Sequence, residues 1–131
     1  MIAALLLLSA AAVATDPDCV DPQAQQQMNY CAAQEFRRTD AAMNAEWRLT
    51  VAVMKEYDKG IDRKYDAEPG YYETLLAAQR AWLVYRDKQC LGESFGARGG
   101  TLSPLLHATC MIELTRVRTK QLKDLAEGEG N

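Results

Sequence analysis

Motifs of common enzymes are scarce in this sequence, which has one histidine among its 131 residues. It has no His-Glu-x-x-His zinc motif, no glycine-rich phosphate loop ending in Lys and Ser or Thr, and no Cys-x-x-Cys redox pair. The lone histidine, His107, is weak evidence for catalysis because a catalytic base also needs an activated nucleophile and an orienting group. We therefore predict a protein that is not an enzyme and that uses no metal or other cofactor.

Long apolar runs are also lacking, apart from residues 2–13, which carry no charged side chain. This run is too short to cross a hydrocarbon layer of ~30 Å as a helix. At its end, Ala12 and Ala14 have the small-x-small spacing of a signal-peptide cleavage site. We predict a signal peptide over residues 1–14, no membrane span, and one exported domain over residues 15–131, either periplasmic or secreted.

The sequence has little excess charge of either sign. Its 15 Lys and Arg residues and 18 Asp and Glu residues give a net charge of −3, and its pI is about 5.2. Nucleic acids and anionic membranes attract strongly basic surfaces, so neither is predicted as a partner. The acidic balance is compatible with a basic protein partner.

Four cysteines are present, Cys19, Cys31, Cys90 and Cys110, and no two of them are near neighbours. Structural zinc sites usually bring their ligands in close pairs, so this spacing argues against a metal site. An even number of cysteines behind an export signal is the usual context for disulfide bonds. Three pairings are possible. We favour Cys19 with Cys31 and Cys90 with Cys110, because each bond would tie an irregular segment to a helix nearby in sequence. The residues before Cys19 lack the small and aliphatic pattern of a lipidation site.

Three stretches have the periodicity of helices, and none alternates as a strand would. The first is predicted to start at Asp21-Pro22, with the aspartate as N-cap, and to end at Gly60. The second follows Pro69-Gly70 and stops at Gly92. The third opens at Ser103-Pro104, with the serine as N-cap. These patterns predict an all-α fold, a three-helix antiparallel bundle with a long first helix, stapled by two disulfides.

An aromatic ring and a guanidinium share one face of the second predicted helix, at Trp82 and Arg86. We expect Arg86 or Arg118 of the third helix to cover the Trp82 ring. Asp87 and Glu113 are the carboxylates that we expect one of these arginines to bind. Ion pairs beside aromatic rings commonly hold helices in register, so we interpret this group as structural rather than as a ligand site.

The order of several short motifs along the chain resembles one known family. The motifs are Cys19, Met28-Asn29-Tyr30-Cys31, Asp40, Met43-Asn44, Trp47, Gln79-Arg80-Ala81-Trp82, Arg86-Asp87, Cys90, Gly99-Gly100-Thr101, Cys110, Leu114-Thr115, Arg118-Thr119 and Leu122. Together they resemble the LprI-type lysozyme inhibitor family over essentially the whole predicted mature chain. Trp47 stands where an aromatic residue such as tyrosine is usual, and the lipidation site of some members is absent. The resemblance implies a helical, disulfide-bonded, exported bacterial domain that inhibits lysozyme.

A predicted glycine-rich loop over residues 91–102, tied at its base by one predicted disulfide, is the candidate partner-binding site. Phe95 would be an apolar anchor, and Arg98 a cation for the acidic groups of a lysozyme cleft. Glu93 is the third candidate. In the alternative interpretation, Phe95 packs against the helices and the glycines serve only the backbone. The alternative function is a periplasmic module that binds an envelope protein or peptidoglycan without inhibiting lysozyme.

Overall fold

The computed structural model describes residues 18–128, which form three long helices. Helix α1 spans Gln25–Asp58, α2 spans Tyr71–Ser94 and α3 spans Ser103–Glu127. One short 3-10 turn, Phe95–Ala97, follows α2. No strand occurs between the first and last described residues, which confirms the predicted all-α class.

The middle helix, α2, runs antiparallel to α1 and α3. Asp40, in the middle of α1, contacts Arg86 near the end of α2, and Asp58, at the end of α1, contacts Tyr71 at the start of α2. The two helices therefore run in opposite directions. The most extensive contact between helices is that of α1 with α3. The predicted antiparallel three-helix bundle is therefore confirmed.

The main core lies between the second half of α1, the start of α2 and the end of α3. Its buried residues are Met43, Met54, Leu75 and Leu122, with Trp47, Val51, Val53, Tyr72, Trp82 and Leu83 packed against them. The fully buried hydroxyl of Thr50 donates to the carbonyl of Leu122 at 3.0 Å. This bond ties α1 directly to α3.

The predicted start of α1 at Asp21-Pro22 is wrong, since the helix begins at Gln25. The residue before it, Ala24, has no side chain that could cap the helix. Instead, the side-chain oxygen of Gln27 accepts the backbone N–H of Gln23 at 3.0 Å. This bond satisfies a donor ahead of the helix, as the glutamine of a capping box does, whereas an aspartate cap would accept an N–H of the first turn.

The corner between α1 and α2 depends on Asp58, which ends α1 two residues before the predicted Gly60. The Asp58 carboxylate accepts the backbone N–H of Tyr71 at 2.6 Å and that of Tyr72 at 3.1 Å. The last residue of one helix therefore caps the next.

The predicted end of α2 at Gly92 is also wrong, because the helix continues to Ser94. The predicted loop over residues 91–102 is consequently helix and 3-10 turn for most of its length. A glycine inside a helix costs only about 1 kcal/mol relative to alanine. Cys90 and Ser94 on either side are buried, and this packing offsets that cost.

Helix α3 begins where the sequence analysis predicted, but Ser103 does not have the predicted role of N-cap. Ser103 is the first helical residue, and Leu102 precedes it as the cap. The Ser103 hydroxyl donates to the carbonyl of Ser94 at 3.2 Å, so it holds α2 against α3 rather than capping α3. Pro104 lies in the first turn as predicted.

Both predicted disulfide pairings are confirmed, as Cys19–Cys31 and Cys90–Cys110. Cys90 and Cys110 are buried, and they form a second core cluster with Met111, Phe36 and Leu114. The second disulfide is thus part of the hydrophobic interior, whereas Cys19 lies in an exposed segment ahead of α1.

Two disulfides are typical of proteins outside the reducing cytosol, and they are consistent with an extracytoplasmic location. The predicted signal peptide lies outside the described residues and stays a prediction. Between residues 18 and 128, no helix combines the length and hydropathy needed to cross a membrane.

Candidate functional site

The predicted arginine cluster lies in the middle of the bundle, where α2 faces both other helices. The buried Arg86 guanidinium binds Asp40 Oδ1 through Nη1 and Asp87 Oδ1 through Nε, each at 3.0 Å. Nη1 also donates to Thr115 Oγ1 at 3.3 Å. The guanidinium carbon lies 5.1 Å from the Trp82 ring centroid. The predicted pair with Asp87 forms, and Asp40 of α1 adds a second carboxylate that the sequence analysis did not pair with Arg86.

The second arginine of the cluster, Arg118, is bound differently. Its Nε donates to Gln79 Oε1 at 2.8 Å and its Nη1 to Gln121 Oε1 at 3.2 Å. It lies 6.0 Å from the Trp82 ring centroid but forms no ion pair with any residue of the described range. Glu113, the other predicted carboxylate partner, is exposed and contributes no ion pair to the cluster. Burial lowers the pKa of the Arg118 guanidinium below its usual value.

The remaining motif residues complete an interior network, except for Arg80. Gln79 is buried, and its amide nitrogen faces the Met43 sulfur at 3.8 Å. Thr115 is fully buried. Arg80 is exposed and lines a cleft beside the network. The cluster therefore joins all three helices around Trp82, and the part centred on Arg86, with its two carboxylates and Thr115, has the geometry of a structural network rather than of an open binding site.

The segment of residues 91–102, here termed the α2–α3 turn, exposes an apolar and cationic surface. Phe95 is 45% exposed, and the Arg98 guanidinium carbon lies 4.4 Å from its ring centroid. Leu91 and Leu102 are each 43% exposed. Phe95 is thus accessible from solvent, and Arg98 stands directly beside it.

Several contacts fix the shape of this turn. Asn29 of α1 donates its side-chain amide to the carbonyl of Thr101 at 2.8 Å. The hydroxyl of Ser103, which follows the turn, donates to the carbonyl of Ser94 within it, and the Cys90–Cys110 disulfide joins the residue before the turn to α3. Gly99 has a φ of 79°, a conformation that favours glycine, so the predicted need for backbone freedom is met at this residue.

Glu93 lies apart from the other two candidate binding residues. Its carboxylate accepts the side-chain amide of Gln89 at 2.9 Å, and it lines a shallow cleft on α2 with Val84 and Tyr85. The structure therefore pairs Phe95 with Arg98 but does not bring Glu93 to them.

Residues 92–96 read Gly-Glu-Ser-Phe-Gly, the letter pattern of the nucleophile elbow of serine hydrolases. An elbow places its serine on an exposed turn between a strand and a helix. Here Ser94 is buried at the end of a helix, and its hydroxyl donates to the Leu91 carbonyl at 2.7 Å. The motif therefore lacks the structural context of a nucleophile.

Ionisable groups elsewhere in the described range form surface ion pairs and one three-residue group around Glu35. Arg116 of α3 binds Glu35 of α1 at 2.6 Å, and Arg38 binds the same carboxylate at 2.8 Å. The hydrogen bond from Arg38, with the charges of both arginines, holds the pKa of Glu35 below its usual value. No group of three or more His, Cys, Asp or Glu residues with metal-binding geometry occurs between residues 18 and 128.

Comparison with known proteins places this architecture in a family. The chain is 45% identical over 116 residues to the uncharacterized protein R02472 of Rhizobium meliloti (strain 1021), covering 88% of this chain and 84% of that protein. It is 30% identical over 97 residues to the uncharacterized protein YecT of Escherichia coli (strain K12), covering 71% of this chain and 59% of YecT. No solved structure matches the chain. The family model for the lysozyme inhibitor LprI matches residues 19–122, from the first cysteine to the last buried leucine of α3, and the chain therefore belongs to the lysozyme inhibitor LprI family.

Proposed function

We propose that this protein is an exported inhibitor of lysozyme that occludes the active-site cleft of the enzyme and so protects the cell envelope. The observation that carries the proposal is the family match over residues 19–122, which includes both disulfides and all three helices. Export is supported by the two disulfides and by the predicted signal peptide.

The α2–α3 turn is the surface that we propose contacts lysozyme. Glycosidases cut their substrate between two carboxyl groups, so the floor of a lysozyme cleft is acidic. The Arg98 guanidinium would approach these carboxylates, and the neighbouring Phe95 ring would bury apolar surface against the wall of the cleft. The turn is held by a disulfide and by cross-helix hydrogen bonds, so little conformational entropy is lost when it binds.

The test is the rate at which lysozymes of several classes clear a peptidoglycan suspension, titrated with the oxidised chain of residues 15–131. We expect saturable inhibition near an equimolar ratio for at least one class. The double substitution Phe95→Ala and Arg98→Ala should raise the inhibition constant at least about tenfold, because buried aromatic and arginine anchors dominate such interfaces.

The matched control is the double substitution Lys64→Ala and Tyr65→Ala. This pair is also an exposed cation beside an aromatic ring, 5.1 Å from nitrogen to centroid, but it lies in the connection between α1 and α2. Its inhibition constant should equal that of the unchanged protein. If both double substitutions raised the inhibition constant equally, the α2–α3 turn would be excluded as the contact surface.

The absence of inhibition for every lysozyme class, with the protein folded and both disulfides formed, would overturn the proposal. The envelope-binding module would then replace it, and copurification of an endogenous envelope protein or of peptidoglycan would support that alternative.

A further inference from the structure

Two adjoining cavities lie where α1 ends and α2 begins, at the end of the bundle opposite the α2–α3 turn. Their volumes are about 480 and 700 Å³. The residues that line both are Met54, Tyr71, Arg118 and Leu125, and the first is completed mainly by Ile61, Pro69, Gly70, Thr74, Leu75 and Ala78. Small-molecule sites are typically apolar cavities of roughly 300–1,000 Å³ with a few polar groups. These cavities have the size and the lining of such a site.

The charged group in the shared wall is Arg118, and its bonding is incomplete. The side chain is more than nine-tenths buried, and its Nη2 has no hydrogen-bond partner among the described residues. Its two other bonds go to neutral amides, those of Gln79 and Gln121. A buried cation without an anion is energetically costly, because desolvation is not offset by an ion pair. Arg86, in the same network, has two carboxylates.

We propose that these cavities bind a small apolar carboxylate, with Arg118 as the counter-ion of its carboxyl group. A guanidinium matches the planar, two-oxygen geometry of a carboxylate and can donate two parallel hydrogen bonds to it. The apolar walls then take the hydrocarbon part of the ligand, and its burial supplies affinity in proportion to area. This site is independent of the proposed contact with lysozyme.

The entrance to the larger cavity suits a ligand with one polar end. Tyr57 and Tyr71 both line it, with ring centroids 5.4 Å apart in an edge-to-face arrangement. Both rings are about half exposed, so each offers an apolar face to a hydrocarbon chain while its hydroxyl stays hydrated.

Three carboxylates also line the cavities. Asp66 and Glu68 are exposed to solvent, and Arg63 donates to the backbone carbonyl of Glu68 at 2.5 Å. Asp124 is bound to Lys120 at 2.5 Å. Solvent and these cations screen their repulsion of an anion, whereas the charge of Arg118 lies in the interior.

Binding requires a small movement, because Nη2 is covered in the structure. The bond from Nη1 to Gln121 is long, at 3.2 Å, and Gln121 is exposed. Replacing this bond by one to water therefore costs less free energy than breaking the bond to Gln79. We expect the Arg118 guanidinium to turn from Gln121 toward the ligand while Nε keeps its bond to Gln79.

Titration calorimetry of the oxidised protein with octanoate and with octanamide tests the charge requirement. An N-acetylated apolar tripeptide, with a free or an amidated carboxyl end, tests whether the carboxylate comes from a peptide rather than from a fatty acid. We expect one acid to bind saturably at one site per chain, and its amide to bind at least about tenfold more weakly, since the ion pair is lost.

Two substitutions assign the site. Arg118→Met removes the cation and should weaken the bound acid at least about tenfold without changing the amide. Ala78→Phe fills the first cavity from an exposed helix position while leaving Arg118 in place, and it should weaken both acid and amide. The matched control is Arg48→Met, which removes an exposed arginine of α1 and should leave binding unchanged.

The proposal is overturned if neither acid binds, if acid and amide bind equally, or if Arg118→Met binds the acid as well as the unchanged protein does. Circular dichroism establishes that each variant is folded. If Arg118→Met fails to fold, the Ala78→Phe variant still tests whether the cavities are the binding site. Full affinity for the acid in that variant would exclude them.

Discussion

Two buried arginines, Arg86 and Arg118, lie beside the same tryptophan ring, and only one of them is paired with carboxylates. Arg86 is neutralised by Asp40 and Asp87, whereas Arg118 is held by neutral amides. The sequence predicted that one arginine would cover Trp82 and bind a carboxylate. It could not show that both approach the ring, because that depends on how far α3 is shifted along α2.

This difference predicts unequal effects of the same substitution. Arg86→Met should lower the free energy of unfolding by about 2–4 kcal/mol, because it removes two ion pairs and a hydrogen bond to the buried Thr115. Arg118→Met removes an uncompensated charge and should cost about 1 kcal/mol or less, mainly through the lost bond to Gln79. Urea unfolding measures both, with the exposed Arg48→Met as reference, and equal losses at the two buried sites would contradict the assignment.

Among the helices, the corner between α1 and α2 shows how one residue serves two elements. Asp58 closes α1, and its carboxylate receives the first amides of α2. The sequence showed no capping side chain next to Tyr71, because the cap comes from 13 residues earlier. Local capping rules therefore found where this helix begins but not what stabilises its start.

Asp58→Ala should lower the free energy of unfolding by about 1–2 kcal/mol, the usual effect of losing a helix cap. Asp58→Asn keeps one side-chain oxygen as an acceptor and should lose about half as much. The control is Asp62→Ala, which removes one exposed turn hydrogen bond to Lys64 and should cost about 0.5 kcal/mol or less. Urea denaturation followed at a helical wavelength gives all three values. A loss at Asp58 no larger than that at Asp62 would show that the carboxylate does not cap α2.

Over the whole molecule, the two ends of the bundle are stabilised differently. One end holds both disulfides and the α2–α3 turn, and the other holds the cavities and the corner at Asp58. The proposed protein contact therefore lies on the covalently braced end. The proposed small-molecule site lies where side-chain packing alone shapes the interior.

The two disulfides should contribute unequally to stability. Replacing Cys90 and Cys110 by alanine should lower the free energy of unfolding by about 3 kcal/mol or more, since this bond closes a 20-residue separation and both sulfurs are in the core. Replacing Cys19 and Cys31 should cost about 1 kcal/mol, because the segment ahead of α1 is exposed and can detach without unfolding the bundle. Thermal unfolding of the two double variants measures the difference, and equal losses would contradict it.

The sequence by itself determined the all-α class, the number of helices and the family pattern, because periodicity and the order of motifs can be read along the chain. It favoured one of three possible disulfide pairings, and the structure confirms that pairing. Tertiary structure alone decided that α2 continues through Gly92, that Phe95 meets Arg98, and that Arg118 borders a cavity without a carboxylate partner. The first and the third depend on packing between residues far apart in the chain, whereas the second depends on the 3-10 turn at Phe95–Ala97, which the loop prediction did not include. Such contacts outweigh a local cost of about 1 kcal/mol, as at Gly92, and they leave no signal in the spacing of residue types.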